Sequence, residues 1–123
     1  MKISTTTGNL AKHYGEEEAI RLLAKAGFDS MDYSMFIHDA QTGIYNTNEF
    51  TDYAKKLKRV ADDAGITFGQ FHAQIPNPSV PDYMSRTELW DKLAKNSIIA
   101  ASIVECPFVV IHPLIMLDRL YDR

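Results

Sequence analysis

"FGQFHAQIPNPSV" (residues 68–80) carries an apolar stretch up to a histidine, and the chain then breaks into a loop punctuated by prolines. "PFVVIHPL" (107–114) ends in the same way, on His112 and Pro113. Two strand-like runs that each deliver a histidine to their exit point to a shared site. One such run would not.

The segments around these two runs alternate in character. "KISTTT" (2–7) is short and rich in β-branched residues, and Gly8 opens a polar loop after it. "EEEAIRLLAKAG" reads as a helix: three glutamates complement the macrodipole at its start, and Gly27 suits the position after its end. "DSMDYSMF" (29–36) is a strand with Met31, Tyr33 and Met35 on one side and Asp32 and Ser34 on the other. Residues 37–48 read as loop. A second helix carries Phe50, Tyr53, Ala54, Leu57, Ala61 and Ala64 at helical spacing and closes at Gly65. Lys55, Lys56, Lys58 and Arg59 near its middle read as a solvated face balanced by Asp62 and Asp63.

"ITFGQFH" (66–72) is the third strand. A long helix follows over roughly Arg86 to Val104, and its second half, "SIIAASIV", is apolar nearly all round and is expected to be covered. "PFVVIH" (107–112) is a continuous apolar run, as in a parallel strand buried on both faces. The order β-α-β-α-β-α-β implies parallel neighbours joined by right-handed crossovers. Ligands in such sheets bind at the carboxyl ends of the strands, where His72 and His112 stand. Neighbouring strands run about 4.8 Å apart, so two imidazoles at adjacent strand ends can contact one ligand or metal.

Bulk properties narrow the function classes. The chain of 123 residues is one domain's worth. A formal charge of −3 with no Lys/Arg block argues against nucleic acid or an anionic membrane as partner. The single Cys106 cannot form an internal disulfide, and no signal-peptide pattern or membrane-length apolar run is present, so a cytoplasmic setting is expected.

"FDSMDYSMF", "AGITFGQFHAQ" and "AASIVECPFVVIHPL" together resemble the second, third and fourth strand regions of the xylose-isomerase-like TIM barrels. That family includes sugar-phosphate isomerases and epimerases and, more distantly, endonuclease IV. The resemblance rests on order and spacing: a helix ending in "AG", a strand ending in His, a long helix with "AA" near its end, and a strand ending in "HP". The family usually has Gly between the long helix and the fourth strand, where this chain has "VECP". A full barrel of this kind needs eight units and about 250 residues. The resemblance therefore implies an α/β fold in which residues 1–123 form the N-terminal half of a TIM barrel, about four strands and three to four helices.

It further implies a parent enzyme that moves a proton next to a carbonyl of a sugar or sugar phosphate, assisted by a divalent metal (Mn, Mg, Co or Zn). Asp32, His72 and His112 would line the substrate pocket, and His72 and His112 are candidate metal ligands. The remaining metal ligands and the acid/base pair would come from later strands, so this chain by itself would have little activity, and the metal is expected in the full-length parent, held here weakly if at all. Two alternatives stay open: a non-catalytic or truncated half-barrel that self-associates, and an endonuclease-IV-like zinc enzyme, against which the acidic balance counts. Partners would be the small-molecule sugar and either a second copy or the remainder of the barrel.

Read without the resemblance, other residues have plainer roles. Gln70 points inward one layer below His72, Trp90 packs, His13 and His38 are exposed loop histidines, and Cys106 is a structural thiol.

Overall fold

Four strands and four helices follow one another in the computed structural model, which describes residues 2–77 and 86–113. They are β1 (Ser4–Thr6), α1 (Gly8–Tyr14), α2 (Glu16–Lys25), β2 (Ser30–Ser34), α3 (Phe50–Ala64), β3 (Thr67–His72), α4 (Thr87–Ile103) and β4 (Val109–Val110). The strands form one parallel sheet in the order β1-β2-β3-β4, the order expected when each crossover returns the chain beside its predecessor. Most of the proline loop after β3 (78–85) lies outside the described residues.

One side of the sheet carries the core. Met31, Tyr33, Phe68 and Phe71 from the strands meet Ile20 and Leu23 of α2, Ala54 and Leu57 of α3, and Trp90, Leu93 and Ala100 of α4. Each large side chain so buried contributes about 1.5–3 kcal/mol. The opposite side is polar, and Thr6, Ser30, Asp32 and Gln70 line an open cleft of about 400 Å³ there. Helices on one side and a polar concavity on the other make this a (β/α) half-barrel pattern.

The structure corrects several expectations. The segment after β1 is the helix α1, not a polar loop: Gly8 fits beside Ser34, where a Cβ would lie 3.3 Å from Ser34 Oγ, and Ala11 is buried. Gly15, at φ 82°, separates α1 from α2. The loop at 37–48 contains a 3₁₀ turn at Ile44–Asn46, and another, Met35–Ile37, leads into it. In the second half of α4, Ile98 and Ile99 are 51% and 46% exposed, so that half is covered on one side only. β4 pairs through two residues only, shorter than its apolar run suggested.

The strictest correction concerns β3. Uniform alternation would put Ile66, Phe68, Gln70 and His72 on one face. A bulge interrupts it: Met31 pairs with Phe68 but Asp32 pairs with Gln70, leaving Gly69 as the extra residue. Ile66 and Phe68 therefore face the helices, while Gln70 and His72 face the polar side. Glycine is required there because a Cβ at position 69 would sit 2.8 Å from Ser30 Oγ and 3.1 Å from Ser30 Cβ.

Other expectations hold. The α3 face is buried as spaced, and Gly65 closes the helix in the left-handed region at φ 75°. Lys55 pairs with Asp52, Lys56 with Glu17, and Lys58 with Asp62, which is the solvated face the spacing implied. Trp90 is 7% exposed and packs in the core.

Candidate functional site

β2, β3 and β4 end side by side, and their register sets the site. Ser34 pairs with His72, and His72 with Val110, two residues before His112. The two histidines approach Nε2 to Nε2 at 2.8 Å, with rings inclined by only 17° and centroids 5.1 Å apart. A bond between two imidazole nitrogens needs one N–H donor and one bare acceptor, so at least one ring is neutral in this arrangement. Asp32 lies on the other side of His72, with Oδ2 3.9 Å from Nδ1. That is too long for a hydrogen bond but close enough for a protonated ring to feel the carboxylate. Asp32 Oδ1 is buried with no hydrogen-bond partner among the described residues, an acceptor aimed at the polar face.

All three residues singled out from the sequence are thus brought together. Asp32 and His72 are partly buried, at 27% and 22% side-chain exposure, which leaves room for a small polar ligand. A smaller cavity of about 190 Å³ adjoins His112, walled by Trp90, Gln74 and Ile111. Gln70 lines the polar cleft one layer below His72, as expected.

Three features were missed. Thr6 and Ser34 share a hydroxyl hydrogen bond of 2.7 Å at the ends of β1 and β2, and Thr7 Oγ1 accepts the Ser34 amide at 3.0 Å. Strand periodicity sets Ser34 on the side of Asp32, but its hydroxyl partner on the neighbouring strand is not readable from one strand. Phe36 stands edge-on to His72, with centroids 5.1 Å apart at 80°, and no periodicity signals a residue in a 3₁₀ turn. His38 is the third, and it corrects an expectation: it is half-buried and packed between Tyr45 and Tyr53, whereas His13 is exposed as expected.

Cys106 is half-buried. Burial pushes its thiol up from the usual range, against the smaller opposing effect of its contact with the Phe108 carbonyl, so it is not an activated nucleophile.

As a metal site the described residues are incomplete. No group of three or more His, Cys, Asp or Glu among them is placed to hold an ion. Two imidazole nitrogens fall short of the three protein ligands typical of a catalytic zinc site.

No family model and no curated protein matches the chain. Among solved structures, it is similar to a sugar phosphate isomerase/epimerase from Parabacteroides distasonis, with 21% identity and a TM-score of 0.50. The match covers 93% of this chain and 40% of that one. At that identity the likeness speaks for the fold: an α/β partial TIM barrel, as the resemblance to xylose-isomerase-like barrels implied. The chain spans about two fifths of its neighbour's length. No helix among the described residues is long and apolar enough to cross a membrane.

Proposed function

We propose that this chain is the N-terminal portion of a sugar or sugar-phosphate isomerase/epimerase-like barrel, and that Asp32, His72 and His112 are its contribution to the substrate pocket. The observation that carries the reading is the His72–His112 contact at the carboxyl ends of β3 and β4, with Asp32 from the middle of the adjacent parallel strand β2 beside it. A sugar hydroxyl both donates and accepts. A neutral imidazole offers one of each, and an unpartnered carboxylate oxygen offers a further acceptor. These groups are suited to fixing the hydroxyls that flank a carbonyl while a base elsewhere removes the proton next to it.

The metal of such a reaction would take His72 and His112 as two of its ligands, and the rest of the shell, with the acid/base pair, would come from the remainder of the barrel. The metal supplies charge stabilisation at the carbonyl oxygen. This chain's own residues bind and orient. The setting we propose is cytoplasmic.

A second reading, that the half-barrel associates with a copy of itself, is favoured by where its exposed apolar residues lie. Ile98, Ile99, Phe108 and Ile111 mark the α4/β4 edge, and Ile3 and Tyr14 mark the β1/α1 edge. A barrel has no such edges, and an exposed apolar edge is a pairing surface.

The test is titration of the purified chain with aldose and ketose phosphates, with and without Mn²⁺ or Zn²⁺, following the imidazole ring signals. Shifts at His72 and His112 that disappear in Asp32→Asn are expected. Ring signals that ignore every sugar phosphate and both metals would sink the reading.

A further inference from the structure

On the helix side of the sheet lies a buried polar cluster that the site does not use. Glu16 opens α2, and its side chain is only 6% exposed. Tyr53 of α3 donates its hydroxyl to Glu16 Oε2. Glu16 Oε1 lies 3.1 Å from His38 Nε2, in close polar contact but off line for a hydrogen bond. Tyr45 and Tyr53 enclose the His38 ring edge-on, at 5.2 and 6.1 Å, and Tyr45 shares a 2.6 Å hydrogen bond with Tyr33 beneath it. A carboxylate removed from water costs several kcal/mol unless partners compensate it. Residues in that position are held by the fold, and hold it in turn.

What the cluster holds is the exit of β2. His38 ends the Met35–Ile37 turn, and its amide donates to Met35 O at 3.1 Å. Its carbonyl accepts a 3.0 Å bond from Gln74 Nε2, two residues beyond His72 on the exit of β3. Two residues earlier in the same turn, Phe36 stands against the His72 ring. Three elements therefore converge on one short segment: α2 through Glu16, α3 through Tyr53, and the exit of β3 through Gln74.

We propose that Glu16 and His38 form a buried clamp that locks the β2 exit loop onto the helix layer and so fixes Phe36 against His72. Glu16 and His38 are positioning residues, acting through Phe36. Only the choice of His72 as the group positioned rests on the proposed function; the clamp itself does not, and its loop readout fails or succeeds independently of any sugar.

The experiment compares the purified chain with Glu16→Gln, His38→Gln and the double variant by amide hydrogen exchange and by the His72 ring signals. Exchange over residues 35–43 is expected to rise about tenfold in either single variant, to rise no further in the double variant, and to stay unchanged in α3. The His72 ring signals are expected to move in the same variants, and Phe36→Leu should move them without loosening the loop. Wild-type exchange at 35–43, or His72 signals that do not respond, would overturn the clamp. Failure of both single variants to fold would also overturn it, because the pair would then support the whole core rather than one loop.

Discussion

His72 Nε2 and His112 Nε2 lie 2.8 Å apart across the β3–β4 boundary, and this bond extends a pairing that otherwise spans only Phe71–Val109 and His72–Val110. Replacing His112 by Ala removes the bond and leaves a partly exposed partner, which costs about 0.5–1.5 kcal/mol. Urea denaturation should show that loss. Exchange of the Ala73 amide, which donates to Val110 O at 3.0 Å, should rise with it.

Gly69→Ala should destabilise the chain by about 1–3 kcal/mol, since the new methyl meets Ser30 and the backbone of a bulge yields little. Thermal unfolding checks this. A neutral outcome would mean that the Ser30 side chain gives way to the methyl.

Glu105→Gly should stabilise. Glu105 follows the end of α4 at φ 57°, the left-handed conformation in which glycine is favoured. The strain relieved is about 1–2 kcal/mol, and glycine's greater chain entropy takes back part of it. The exposed Lys58–Glu105 pair, at 3.2 Å, adds little to be lost. A rise in Tm is expected.

Alkaline pH should unfold the chain. Burial, with Glu16 adding to it, raises the phenols of Tyr33, Tyr45 and Tyr53 above their ordinary value. A raised pKa means stability that is fully present below the unfolded value, about 10, and is lost as pH climbs above it. Tyrosinate absorbance should therefore appear together with loss of helical circular dichroism. Free ionisation of these tyrosines in a still-folded chain would contradict the burial.

Assembly should depend on the two edges. The purified chain is expected to sediment above its 13.9 kDa monomer mass, and Ile98→Glu with Phe108→Asp should shift it toward the monomer. A wild-type chain that is already a compact monomer would remove the self-association reading.

The four strands and the helices α2, α3 and α4 were legible in the chain from local patterning, and their alternation implied parallel neighbours through right-handed crossovers, whereas α1 was not legible. The apolar spacing of α3, the glycine that ends it, the β-branched run at β1 and the apolar run at β4 are local properties. So was the placing of His72 and His112 at strand exits, and the odd Glu105 where the resembling family usually has Gly. Tertiary structure decided what depends on a neighbour. The bulge at Gly69 put Phe68 on the helix side and Gln70 on the other, and Ser30 on the adjacent strand crowds the place of a Cβ at position 69. His38 left solvent because Glu16, Tyr45 and Tyr53, none of them near it in an element pattern, close around it. Asp32 came to stand 3.9 Å from His72 through a register that no periodicity within one strand can specify, since register is a property of two chains of hydrogen bonds meeting.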